Sequence, residues 1–247
     1  MGELLQGILF FSMLAGMATI IGVFIVFYFG TPNRQSIALY LGLAAGVMIT
    51  VSIDLIIHSA KIGHYKTLLM GLVLGALLMA LLSGIIAIIH KNFTHRRGSA
   101  FNVKFAKIGW TMVLGIAAHN LPEGLAIAAG EAADHKLGIA IVIAIALHNV
   151  PEGIGVTAPL LKSGTRKAII VIALIFVALC VPMGTLLGLY IIEITPAFIS
   201  LALSFAAGAM MYIVVFELTP AAFKQQPIYA QLGIVVGIIA LYAAHSI

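Results

Sequence analysis

Apolar residues run in eight long stretches parted by short polar breaks, and the length of the stretches sets the first expectation. A hydrocarbon core about 30 Å thick needs roughly 20 apolar residues per helix. Residues 4–29, 67–90, 168–192 and 227–246 hold no Asp, Glu, Lys or Arg at all. Residues 35–60 hold only Asp54, 108–130 only Glu123, 137–161 only Glu152, and 197–219 only Glu217. The breaks are rich in Gly and Pro, as at Gly30-Thr31-Pro32 and Thr195-Pro196, which is where chain reversals belong. The pattern predicts an all-α fold of eight transmembrane helices in a single domain over residues 1–247. One longer connection, 91–107, is polar and basic. The first stretch reads as a span, not a removable signal, because it is about twice as long as a signal core and no basic segment precedes it.

Composition removes the alternative of a water-soluble globule. Hydrophobic residues make up 62% of the 247-residue chain and charged residues only 9%, against about 25% charged in soluble domains. The single cysteine, Cys180, excludes an intramolecular disulfide and any Cys-rich zinc module. The net charge of +5 hints at nucleic acid only until the basic residues are placed. Ten of the 13 fall in the connections after spans 1, 3, 5 and 7, and three (Lys61, Lys66, Lys136) fall on the other side. By the positive-inside rule the first set is cytoplasmic. That puts the 91–107 loop in the cytoplasm and both termini outside a cell (inner) membrane. It also removes any need for a nucleic-acid partner.

Four of the eight acids lie inside spans: Asp54, Glu123, Glu152 and Glu217. Each costs roughly 2.5–3.5 kcal/mol near the bilayer centre if ionised and alone. No Lys or Arg lies in a span to pair with them. They call for protonation, a hydrated cavity, or a cation from outside. Two sit in copies of one motif. His119-Asn120-Leu121-Pro122-Glu123-Gly124 recurs 29 residues later as His148-Asn149-Val150-Pro151-Glu152-Gly153. On a helix, His and Glu four apart share one face. Each proline frees a carbonyl one turn back, at Ala118 and Leu147, so the expectation is a pair of interrupted, Pro-kinked helices. Together they would converge imidazoles, carboxylates and amides, a mixed N/O set suited to zinc and also to iron, manganese or cobalt.

A second repeat links Gly42-Leu43-Ala44-Ala45-Gly46-Val47-Met48 to Ser204-Phe205-Ala206-Ala207-Gly208-Ala209-Met210. Spans 2 and 7 run in opposite directions, as do spans 4 and 5. That is the inverted-repeat plan of secondary transporters, with the substrate site near the midplane. Small-residue helix packing explains the A-A-G-x-M string equally well and does not oppose transport.

With these residues in view, the chain resembles the ZIP (Zrt/Irt-like) family of metal transporters, and within it the bacterial ZupT-type branch. The paired H-N-x-P-E-G motifs carry most of the resemblance; A-G-x-M of span 2 and Glu217-Leu218-Thr219-Pro220 support it. The resemblance implies a 3+2+3 helix arrangement and import of divalent metal as substrate, zinc first, with iron, manganese, cobalt or cadmium as further cargo. No resident cofactor is implied, and no enzyme activity. It assigns His119, Glu123, His148 and Glu152 to one metal, with Met48 nearby. Asn120 and Asn149 go to a second position bridged by the two glutamates. Many members have a glutamate before a span-6 proline; here Val181 precedes Pro182, which puts the second position in doubt. Asp54 and Glu217 are candidate pathway residues, or protonated donors between helices. His90 and His95 lie among basic residues and read as part of a solvated loop. The expected partners are divalent metal ions and the lipid bilayer, with a homodimer as a further option. A metal-gated channel or sensor is the alternative reading. An intramembrane metalloenzyme is further off, because H-E-x-x-H and E-x-x-H strings are absent.

Overall fold

The computed structural model describes residues 2–93, 100–192 and 196–245. Among them the secondary structure is helical, in the order α1 (Gly2–Phe29), α2 (Arg34–Ile62), α3 (Tyr65–Phe93), α4 (Ala100–Ala133), α5 (His135–Lys162), α6 (Lys167–Ile192), α7 (Pro196–Ile213), a π-helical segment (Val214–Leu218), α8 (Thr219–Gln225) and α9 (Pro227–His245). Seven helical segments are long and apolar enough to cross a membrane, and Pro227–Ala243 is a shorter apolar helix. This is an all-α polytopic membrane protein.

The breaks have local causes. Gly30, at φ 83°, closes α1 in a conformation that costs glycine little. Asn33 then caps α2, its side chain accepting from Ser36 N at 2.8 Å. Asp134 caps α5 by accepting from the amides of Lys136 and Leu137. Elsewhere the helices outrun the hydrophobic stretches. The basic connection expected over 91–107 is shorter, since α3 continues to Phe93 and α4 starts at Ala100. A helix satisfies its own backbone in water as in lipid, so it need not stop where apolarity stops. His95 lies outside the described residues, and so does the His90 side chain.

Packing divides the helices into two groups. In one, α4 packs on α5 and α6, and α1 packs on α5 and α6. In the other, α2 packs on α7 and α9, and α3 packs on α7. The groups meet where α2 crosses α5 and α7 crosses α4. Exchanging α1 with α6, α2 with α7, α3 with α9 and α4 with α5 turns each of these contacts into another of the set or into itself. That is the inverted repeat expected from the sequence.

Close approach follows the same exchange. A Cβ on Gly153 would strike Thr19 O in α1, and one on Gly22 would strike Val150 O. On the other side, a Cβ on Gly124 would strike Val181 O in α6, and one on Gly184 would strike Leu121 O. Thr19 and Val181, like Gly22 and Gly184, are 162 residues apart, the spacing that also separates Met48 from Met210. Without a hydrophobic force between helices in lipid, such small-residue contacts hold the bundle by van der Waals packing. They bring α4 and α5 into the middle, where two-thirds of each span is buried, against 17% for the lipid-facing α3.

Candidate metal centre

The two H-N-x-P-E-G copies meet face to face at this α4–α5 contact. His119, Asn120, Glu123, His148, Asn149 and Glu152 are each at most 2% exposed, so no bulk water reaches them from either membrane face. Each His reaches across to the other copy's Glu. His148 Nε2 lies 3.0 Å from Glu123 Oε1. His119 Nε2 lies 3.3 Å from Glu152 Oε1 and 3.4 Å from Oε2, and 4.0 Å from Glu123 Oε1 on its own helix. Sequence spacing pointed to i,i+4 pairs within each helix; the closer pairs run between helices.

The asparagines brace this arrangement. Asn120 Nδ2 donates to Val177 O of α6, and Asn149 Nδ2 donates to Ala15 O of α1, both at 2.9 Å. Val177 and Ala15 are again 162 residues apart. With the amide nitrogens spent on the walls, each side-chain oxygen is left buried with no hydrogen-bond partner. Glu123 Oε2 and His119 Nδ1 are also buried without one.

His148 Nδ1 lies 2.9 Å from Ala144 O, an acceptor only, so Nδ1 carries the hydrogen. The remaining nitrogen, Nε2, then faces a carboxylate oxygen at 3.0 Å. A lone pair against a carboxylate is repulsive, so a positive charge belongs between them, either a proton or a metal ion. Surplus acceptors (two carboxylates, two amide oxygens and imidazole lone pairs) against few donors make the cluster cation-seeking. The imidazoles and carboxylates lie within 3.0–3.4 Å of each other across the two helices. Among the described residues, no three His, Cys, Asp or Glu are arranged as a metal-holding group.

The prolines do less than expected. Pro122 and Pro151 lie inside α4 and α5, which run through them as unbroken helices. Proline removes one donor, and the bonds on either side keep the helix going.

The other candidates lie apart from the cluster or in its walls. Met48 is fully buried in the core shared with Val181, Ala144 and Ile145. Val181 is fully buried and lines the α6 wall against Gly124. Cys180 bonds its own helix, Sγ to Phe176 O at 3.4 Å. Glu217 sits in the π-helical segment and accepts a hydrogen bond from Ser83 of α3. Asp54 is half-buried on α2, where His58 Nδ1 bonds its carbonyl oxygen at 2.9 Å. At the α4–α5 turn, His135 Nδ1 pairs with Glu131 at 2.8 Å while Asp134 is spent on its cap. Sequence reasoning missed Thr19, whose buried hydroxyl has no hydrogen-bond partner and which is the repeat mate of Val181. Extending the 162-residue spacing beyond A-A-G-x-M would have found it.

A family model described as ZIP Zinc transporter matches residues 90–244, well over half the chain and including both motif copies. The chain belongs to the ZIP zinc transporter family. No curated protein matches it. Membership makes the protein a transporter of divalent metal, not an enzyme.

Proposed function

We propose that this ZIP transporter imports divalent cations, zinc foremost, through His119, Asn120, Glu123, His148, Asn149 and Glu152. The supporting observation is the crossed pairing of two buried motif copies, each imidazole against the other copy's carboxylate. Zinc takes imidazole and carboxylate ligands at about 2.0–2.2 Å, which sets neighbouring ligand atoms of a tetrahedral site about 3.4 Å apart. The closest inter-helix N–O separations, 3.0–3.4 Å, are near that edge. A cation entering would replace the proton shared by each pair and take up the unused amide oxygens. Release follows from the reverse exchange, since protons and metal compete for the same lone pairs.

Burial from both faces favours a carrier over an open pore. The excess of basic residues after odd-numbered spans orients it with both termini outside a bacterial-type inner membrane, and the motif wording suits the ZupT-type branch. With Val181 in the α6 wall, one metal per chain is the expected load; Met48 stays a neighbour.

Reconstituted protein should admit zinc into liposomes with saturable kinetics, and Glu152→Ala should abolish that uptake. Undiminished flux in the variant removes the site assignment.

A further inference from the structure

Two intramembrane acids, Asp54 and Glu217, are left over from the central cluster, and the 162-residue spacing does not relate them. It pairs Asp54 with Phe216 and Glu217 with Leu55. The π-helical segment changes that. A π turn holds one extra residue within an otherwise continuous helix, and such turns are frequent at functional sites. Exposure along α2 and α7 shows where the extra residue goes. As far as Val215, inside the π segment, the two helices match at 162: Val51 and Ile213 are buried, Ser52 and Val214 are buried, Ile53 and Val215 are exposed. Phe216 then faces outward as well, where α2 has Ile53 alone. Beyond it they match at 163: Asp54 and Glu217 are half-buried, Leu55 and Leu218 buried, Ile57 and Pro220 exposed, Ser59 and Ala222 buried.

We propose that the π-bulge restores register between the repeats, making Asp54 and Glu217 symmetry mates that serve as paired way-stations for the cation, one on each side of the central cluster. Asp54 lies six residues beyond Met48, and Glu217 seven beyond its mate Met210 with one taken up by the bulge. At 1.5 Å per residue each is about 9 Å from its methionine. The two helices are antiparallel, so the displacements point to opposite membrane faces.

Glu217 is placed to hand a cation to the cluster. A Cβ on Gly115 of α4 would lie 3.6 Å from Glu217 Oε2, and Gly115 is one helical turn before His119 on the same face. Ser83 holds the other carboxylate oxygen. The mate of Gly115 in α5 is Ala144, one turn before His148, and α2 packs on α5 as α7 packs on α4. The twofold therefore sets Asp54 in the corresponding place, one turn from His148. His58, four residues on, extends the polar line toward that face. The reading rests on the central site as metal site, and adds to it a step on each side.

The test uses full-length protein in liposomes, with zinc as probe and equilibrium zinc content measured alongside flux. Asp54→Asn and Glu217→Gln should each lower zinc flux about tenfold and leave the bound zinc per chain unchanged. Deleting Val215 should convert the bulge to regular helix, keep Glu217 in register, and leave flux within about twofold of the parent. Deleting Ile53, its exposed mate in bulge-free α2, should turn Asp54 away by about 100° and lower flux to the Asp54→Asn level. Parent-level flux in either point variant, or loss of bound zinc in one, overturns the way-stations. A Val215 deletion that fails to fold, or transports no better than Glu217→Gln, overturns the register. Failure of the central site would show separately, as zinc still bound by the Glu152→Ala protein.

Discussion

The α4–α5 pair and the α2–α7 pair are both antiparallel repeats, yet they preserve different things. Between α4 and α5 the ligands themselves are repeated, letter for letter at five of six positions. Between α2 and α7 the packing is repeated, through A-A-G-x-M and alternating exposure, while the acids sit one residue out of step. Chemistry at the centre requires particular atoms on both helices, so drift there is costly. Walls need only small residues facing small residues, and a single inserted residue is absorbed by a π turn.

The largest effect should come from unbalancing the central pair. Glu123→Gln and Glu152→Gln should each weaken zinc binding by more than about 100-fold, beyond the 10–100-fold usual for residues that merely hold a ligand. Titration of the purified variants measures this, and unequal losses would break the likeness of the two copies. Next come the glycine contacts. Gly124→Ala and Gly153→Ala should each destabilise the solubilised protein by about 1–3 kcal/mol, since each Cβ meets a backbone carbonyl of the wall helix. Thermal melts with equal losses sharpen the symmetry; a neutral Gly153→Ala breaks it. Smaller still, Asn120→Ala and Asn149→Ala each remove one bond to a wall carbonyl. Inside membranes such bonds contribute about 0.6–2 kcal/mol, so the melts should fall less than for the glycine variants.

The legibility of the chain follows the same division. Apolar stretches of about 20 residues, the paired motif and the intramembrane acids were readable because lipid and charge impose hard rules on composition. Crossed pairing of His119 with Glu152 and His148 with Glu123 was not, because i,i+4 spacing describes one helix and says nothing of its neighbour. The unbroken course through Pro122 and Pro151 was missed for a related reason: a proline's cost depends on what surrounds it. The π-bulge left no mark in the residue types of Val214–Leu218; it is a feature of the folded backbone, and exposure along two helices shows only where its extra residue goes. Ser83 gave no signal either, being one hydroxyl in an apolar helix until Glu217 is placed beside it.

Equilibrium zinc content per folded chain, by elemental analysis of the protein and its Glu152→Ala variant, tests the central claim most directly. The crossed His–Glu cluster, with Val181 in its wall, predicts one zinc per chain in the parent and none in the variant. Zinc retained by the Glu152→Ala protein, or two per chain in the parent, would contradict it.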